Sequence, residues 1–363
     1  MKDGRASFGE DLTGRLMEAT QHGATARLAP ICSSPWRVAG HQARAYYDFR
    51  IGPGSDAGCS RTEVLMNTSP SHGRDPKTVP PAEILARQVH ELTVQADVIA
   101  LLPDPATARI CLDIAEDAAR AINGSMAAAH VGADPEWMVA APEEIDLQML
   151  RDMNEGSPQQ RLERVISVFE SWKVADPDRS DLPLDDCRGD LGRCVTSECH
   201  DSALVVTPCY GNMDARDAFH DLLFKEHRLV LVPPAGGYSG HLLQHVVIGW
   251  KPHNHARVAV VAARRWLAVA EHVTLLCVDD KPDGSYQFTA RELLAQLGLN
   301  GDVVAIRSES RSVGDAIIDF AGSAKATCLL IGAFKHGYFL ELLIGRVTRH
   351  LLSHATFPLM MKH

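Results

Sequence analysis

Short apolar runs alternate with amphipathic stretches from Asp97 to the last residue, and this alternation restricts the fold more than any other feature. Runs such as 98–102, 246–250 and 328–331 are short and unbroken, which is typical of strands buried on both faces of a sheet. The stretches between them repeat apolar residues at helical spacing. Strand and helix in alternation predict a parallel sheet with right-handed crossovers, so the fold class is α/β.

The alternation occurs twice, and each copy ends in an apolar strand next to proline, LVLVP at 229–233 and FPLMM at 357–361. We therefore predict an internal duplication. The two doubly wound, parallel-sheet, Rossmann-like domains are predicted at 97–236 and 243–363. Residues 1–96 form an N-terminal extension, which we interpret as linker-like or partly disordered because 51–81 is rich in Gly, Pro and Ser.

Composition and charge exclude several classes of protein. The net charge of −10 argues against a nucleic-acid surface, which needs clustered Lys and Arg. No apolar run approaches the roughly 18 residues that a membrane span needs, and the first residues have no hydrophobic core of a signal peptide. We expect a cytoplasmic protein. Its nine cysteines, an odd number, indicate reduced thiols rather than a disulfide framework.

The stretch from Cys328 to His350 has the pattern of an anion site. An apolar strand ends at Gly332, a polar turn with Lys335 and His336 follows, and a helical pattern runs through Phe339, Leu343, Val347 and Leu351. A strand, a glycine turn and a helix present backbone N–H groups to an anion in parallel α/β sheets.

The spacing in this stretch resembles the signature of the universal stress protein family. Two residues separate Gly332 from Lys335, and nine separate Lys335 from Gly345. The family has Gly at all three positions and Ser or Thr after the last. This chain departs from it with Lys335 at the second glycine and Arg346 at the hydroxyl position. The second unit resembles the family over its whole length, and the first unit resembles it in a degenerate form.

The resemblance implies a tandem protein with the adenine nucleotide alpha hydrolase-like fold, whose two domains pair through their last strands and imitate a homodimer. It implies ATP or another adenine nucleotide as the ligand. Lys251 stands where family members that bind ATP carry an Asp, and Val278 matches the position that packs on adenosine. The remaining matched positions of the phosphate loop are Gly332, Lys335, His336, Gly345, Arg346 and Val347. The three cations among them suit a different anion equally well.

The first unit lacks such a loop, because residues 207–214 hold one glycine and no basic residue. Asp104 has two interpretations, an adenine contact or the cap of a helix that starts at Pro105, and we favour the cap. We predict no catalytic residues. The spacings Cys187-x6-Cys194 and Cys194-x4-Cys199-His200 match no common zinc pattern, so we predict no metal site.

These features favour a non-enzymatic stress-response or signalling protein that senses a nucleotide or another anion through the second domain. The alternatives are a ligand-free interaction scaffold and an enzyme that weakly hydrolyses ATP. Its protein partners are not specified by the sequence, a homodimer remains open, and neither nucleic acid nor membrane is expected as a partner.

Overall fold

A computed structural model describes residues 96–138, 142–278, 284–333 and 345–363. All of them lie in one compact unit, Pro76–His363. The predicted N-terminal extension therefore falls outside the described residues except for Ala96. Lys335 and His336 fall outside them as well.

The first half contains five strands and five helices among its described residues. In chain order they are β1 (Val98–Leu101), α1 (Pro105–Ala121), β2 (Met126–Ala133), α2 (Pro142–Glu155), α3 (Pro158–Val174), β3 (Leu184–Gly189), α4 (Leu191–Cys199), β4 (Leu204–Val206), α5 (Met213–His220) and β5 (Val230–Val232). A short 3-10 helix (Pro177–Arg179) precedes β3, and one π-helical turn (Asp221–Lys225) continues α5.

The second half repeats this plan. Its described elements are β6 (His245–Trp250), α6 (Asn254–Ala262), α7 (Arg264–Leu267), β7 (His272–Val278), α8 (Ser285–Leu297), β8 (Asp302–Ile306), α9 (Val313–Ser323), β9 (Cys328–Gly332), α10 (Arg346–His354) and β10 (Leu359–Lys362).

All ten strands form a single sheet in the order β3-β2-β1-β4-β5-β10-β9-β6-β7-β8. Within each half every pairing is parallel, and both halves have the same order of strands. The terminal strands β5 and β10 pair antiparallel, with Leu231 opposite Met360. The structure thus confirms the α/β fold, the internal duplication and the pairing through the last strands. The exact boundaries of the two domains stay predictions.

Helices cover both faces of the sheet, and alternate residues of each strand enter opposite cores. In β6, Val246, Ile248 and Trp250 enter one core, whereas Val247 enters the other. The first core also holds apolar residues of α1, α3, α6, α7 and α8. The second holds residues of α4, α5, α9 and α10. This arrangement explains the continuous apolar runs, because a strand covered on both faces has no solvent side.

Strand β3 is an element that the pattern of apolar runs does not predict. Its sequence, LDDCRG, carries three charges, yet it pairs with β2 from Leu184 to Gly189. The strand lies at the edge of the sheet and most of its side chains are half-buried. Its pairing therefore comes from the backbone of β2 rather than from apolar burial.

The helical segment after β6 is divided at Ala263 into α6 and α7. Of the helical pattern predicted through Phe339, Leu343, Val347 and Leu351, α10 contains the last two residues. It begins at Arg346 after the extended residue Gly345, and 334–344 lie outside the described residues. No helix in the described part of the chain is long and apolar enough to cross a membrane.

Candidate functional site

The candidate site lies at the carboxyl ends of β6 and β9, which are neighbours in the sheet. After β6 the chain turns to the face that carries α6, and after β9 it turns to the opposite face, which carries α10. Connections that diverge in this way leave a crevice at the strand ends, where ligands bind in open α/β sheets. The first half has the same switch point between β1 and β4.

The structure brings the predicted residues that it describes to this one edge of the sheet. Lys251 follows β6 directly and is exposed, Val278 ends β7 and is half-buried, and Gly332 ends β9. Gly345 precedes α10, where Arg346 is exposed and Val347 is half-buried. The start of α10 receives no hydrogen bond from a capping side chain. Its first N–H groups are thus directed toward the same edge as the exposed cations.

Gly332 is a glycine because of close packing rather than because of its backbone conformation. Neither Gly332 nor Gly345 has a positive φ. A Cβ on Gly332 would lie 2.6 Å from the backbone N of Ala256 and 2.6 Å from the carbonyl carbon of His255. The glycine is required because the start of α6 packs directly on the end of β9.

A cleft lies between α6 and α8 beside this edge. It has a volume of about 350 Å³ and is lined by Trp250, Pro252, His253, Asn254, Arg257, Thr289, Glu292, Leu293 and Gln296. The buried indole of Trp250 donates a hydrogen bond to the Thr289 hydroxyl at 3.2 Å, and Arg257 donates one to Gln296 at 3.1 Å. These bonds fix the walls of the cleft in place.

Histidines extend the candidate site toward the first half, which the sequence analysis did not foresee. His253 and His255 stack with ring centroids 5.3 Å apart, His255 and His363 at 4.6 Å, and His363 and His227 at 5.5 Å. We call these residues the imidazole stack. No sequence signal could have joined them, because three distant segments supply the rings.

The equivalent site of the first half is filled by its own side chains. Asp214, in the first turn of α5, accepts hydrogen bonds from Arg151 of α2 at 2.7 and 2.5 Å. Its carboxylate also accepts from the backbone N of Ala133 at 3.2 Å. Both side chains are almost completely buried, with exposed fractions of 2% for Arg151 and 1% for Asp214. A bidentate ion pair therefore stands at the start of the helix that corresponds to α10.

Further groups complete the filling of that first site. Arg161 of α3 is buried and donates to the carbonyl oxygen of Ala133 at 2.9 Å and to the carboxylate of Asp152 at 2.9 Å. His130 donates from Nδ1 to the carbonyl oxygen of Leu102 at 2.8 Å, and burial lowers the pKa of its imidazole. A neutral, hydrogen-bonded His130 leaves this region packed.

Asp104 takes the role of a helix cap, as favoured from the sequence. Its carboxylate accepts from the backbone N of Ala106 at 2.9 Å and so caps α1. The second oxygen accepts from the backbone N of Asn212 at 2.8 Å. Both oxygens serve the protein's own backbone, which joins the ends of β1 and β4 in the first half.

Cys187 of β3 and Cys194 of α4 form a disulfide, with 5.4 Å between their Cα atoms. The expectation of reduced thiols is wrong for this pair, because the edge strand places Cys187 next to the first turns of α4. Cys111, Cys199, Cys209 and Cys328 are free thiols, and burial raises the pKa of the Cys209 thiol to about 11. Among the described residues no group of three or more His, Cys, Asp or Glu is placed to hold a metal ion.

The geometry defines a class of protein, a pair of Rossmann-like α/β domains in one sheet, each with a switch point at the carboxyl ends of its strands. Residues 244–363 match the model of the universal stress protein family. The second half of the chain is thus a universal stress protein domain, and the first half repeats its strand order. No curated protein matches the sequence.

Several solved structures of this family are similar to the chain. A universal stress protein from Archaeoglobus fulgidus has 10% sequence identity and a TM-score of 0.47, covering 74% of this chain and 98% of its own. A family member from Burkholderia pseudomallei has 17% identity and a TM-score of 0.24, covering 34% and 98%. A universal stress protein in complex with cAMP has 18% identity and a TM-score of 0.29, covering 33% and 97%.

Proposed function

We propose that the second domain binds a phosphate-bearing ligand of the adenine nucleotide class at the ends of β6 and β9. In this proposal the chain is a non-enzymatic stress-response protein, and its output is a change in partner binding when the ligand favours one of two conformations. The first domain serves as a structural copy that holds no ligand. Membership of the second half in the universal stress protein family supports the stress-response role.

One observation carries the proposal, the contrast between the two equivalent helix starts. In the first domain α5 begins with Met213-Asp214, and the carboxylate is buried under Arg151. In the second domain α10 begins with Arg346-Val347, and the guanidinium is exposed. A carboxylate at a helix start repels a phosphate, whereas an exposed cation beside uncapped N–H groups attracts it. The two sites thus differ in the sign of the charge that they offer.

Lys251 adds a second exposed cation at the same edge. It replaces the Asp that the family resemblance associates with adenine, so recognition in this chain relies on the phosphate rather than on the base. One universal stress protein has been solved in complex with cAMP, which places cyclic nucleotides among the ligands to be tested.

Calorimetric titration with ATP, ADP, AMP, cAMP and inorganic phosphate tests the proposal. We expect wild-type protein to bind at least one nucleotide, and Lys251→Glu and Arg346→Glu each to weaken binding by about tenfold or more, since an attractive charge becomes repulsive. The matched control is Arg193→Glu, an exposed cation on α4 of the first domain, which should bind like wild type. Wild-type protein that binds none of these ligands would overturn the proposal.

A ligand-free scaffold is the second candidate, because the first site is already filled by Arg151 and Asp214. Mass spectrometry of the protein as purified separates the two candidates. A co-purifying nucleotide favours the sensor. Protein that carries no nucleotide and gains no thermal stability from the titrated ligands favours the scaffold.

A further inference from the structure

The imidazole stack joins the candidate anion site to the first domain. His253 caps the start of α6 and His255 lies in the first turn of that helix. His363 follows β10, and His227 lies between the π-helical turn and β5. The rings therefore come from the second domain's helix start, its last strand and a turn of the first domain. Phe224 continues the row with its centroid 5.1 Å from that of His363.

The stack contacts the strand end on which the candidate site is built. The backbone of His255 lies against Gly332 so closely that a Cβ there would be 2.6 Å from its carbonyl carbon. On the other side, His363 donates from Nδ1 to the carbonyl oxygen of Ala333 at 2.9 Å. The backbone N of Ala333 donates to the carbonyl oxygen of Lys362 at 2.8 Å.

These contacts define the tautomer of His363. A carbonyl oxygen only accepts, so Nδ1 of His363 carries a proton and Nε2 is the nitrogen that has the lone pair in the neutral ring. Each proton added to the stack places a positive charge on a ring that is stacked against a neighbouring imidazole. The second and later protons are therefore opposed by the first.

Charged groups of both signs lie near the stack among the described residues. The Lys362 ammonium donates to the carbonyl oxygen of His227, and burial together with the nearby Arg228 lowers the pKa of Lys362. At the far end, beyond Phe224, Asp221 is paired with Lys225 at 2.7 Å and His220 at 3.5 Å. Lys251 precedes α6.

The His255 imidazole is held toward its neutral form. Burial, followed by the positive charges of His363, His253 and His227, lowers the pKa of His255. An anion bound at the ends of β6 and β9 would offset the repulsion among these groups. A ligand that favours the protonated form in this way is bound more tightly by that form.

We propose that the imidazole stack is the proton-coupled part of the anion site, so that the second domain takes up protons when it binds a phosphate-bearing ligand. This inference rests on the proposed function and adds its regulation, because affinity then rises as the pH falls. For each proton taken up, the dissociation constant falls by about tenfold per pH unit over the range in which the stack titrates.

Calorimetry with ATP from about pH 5.5 to about pH 8 tests the coupling, using buffers of different ionisation enthalpy to count the protons taken up. The variant is His255→Gln, which removes the ring between His253 and His363. Because ATP also titrates in this range, the decisive quantity is the wild-type proton uptake minus that of the variant. The matched control is His272→Gln, an exposed histidine at the start of β7, which should behave like wild type.

We expect wild-type protein to take up at least one proton more than His255→Gln at about pH 6, and its affinity to rise more steeply on acidification. His227→Asn serves as the second variant, because Asn tolerates the left-handed φ of 49° at that position, and it should reduce the uptake as well. Equal proton uptake in wild type and both variants would overturn the inference while leaving the proposed function intact. Protein that binds ATP at no pH would instead overturn the proposed function, and the inference with it.

Discussion

Single residues decide whether each strand-end crevice is open or filled. In the first domain Asp214 accepts hydrogen bonds from Arg151 and from the backbone of Ala133, so a protein cation lies where a ligand would enter. In the second domain Gly332 ends β9 and leaves space for the start of α6. In the first domain an internal ion pair neutralises the charge of Asp214, whereas in the second domain Arg346 is exposed.

Asp214→Asn should destabilise the protein, because the buried Arg151 would lose its bidentate partner and keep only Glu155, and the nearby Arg161 would keep only Asp152, and both of these carboxylates are more exposed than that of Asp214. Removal of one partner from a buried ion pair costs about 3–5 kcal/mol of the free energy of unfolding. Urea denaturation measures the loss, with the exposed Asp178→Asn as a control that should change little. A free energy within about 0.5 kcal/mol of wild type would show that the pair is not essential.

Gly332→Ala should also destabilise, since its Cβ would overlap the backbone of Ala256 at 2.6 Å. Overpacking of this kind costs about 1–3 kcal/mol. The control is Gly322→Ala in α9, where a Cβ meets no atom within 4 Å and loss of backbone freedom should stabilise by about 0.5–1 kcal/mol. Thermal and urea unfolding of Gly332→Ala and Gly322→Ala give the sign of each change in stability. Equal stability of the two variants would contradict the packing argument.

At the scale of elements, the edge strand β3 depends on its neighbours. Its charged sequence buries little, and its backbone pairs only with β2. The disulfide from Cys187 to Cys194 attaches it to α4 on one face of the sheet. The carbonyl oxygen of Gly189 then accepts from the backbone N of Asp134 at 3.1 Å, which ties the end of β3 to the turn after β2.

Reduction of this disulfide should lower the free energy of unfolding. The bond closes a loop with a sequence separation of 7 residues, and a crosslink over so short a loop stabilises by about 2–3 kcal/mol through the entropy of the unfolded chain. Urea denaturation with and without reductant measures the difference. Cys187→Ser should lose this stability outright and no longer respond to reductant; an equal response in that variant would assign the effect to another thiol.

At the scale of the molecule, the two halves share their cores and their sheet. One apolar core includes Ala118 of α1 and Trp266 of α7, which come from different halves. The indole of Trp266 donates to the carbonyl oxygen of Ala118 at 3.0 Å, and Arg265 pairs with Asp97 at 2.6 Å. Together with the β5–β10 pairing, these contacts predict one cooperative unfolding transition for residues of both halves.

Trp266→Ala should weaken that coupling. A fully buried tryptophan replaced by alanine leaves a cavity and costs about 3–5 kcal/mol, here at the contact between the halves. We expect the urea transition of the variant to broaden or divide when followed by circular dichroism and hydrogen exchange. The control is Trp137→Ala, because that side chain is 74% exposed. A single sharp transition in Trp266→Ala, merely shifted, would place the coupling in the β5–β10 pairing instead.

The sequence by itself determined the α/β class, the duplication and the cap at Asp104, since apolar periodicity and capping residues act within a few positions of the chain. Only the tertiary structure decided the rest. The charged strand β3 follows from the backbone of β2, and Arg151 meets Asp214 across 63 positions. The imidazole stack and the closeness of Gly332 to α6 arise in the same way. Such contacts join residues that are far apart in the sequence. They depend on which strands become neighbours in the sheet, and no local sequence pattern specifies that.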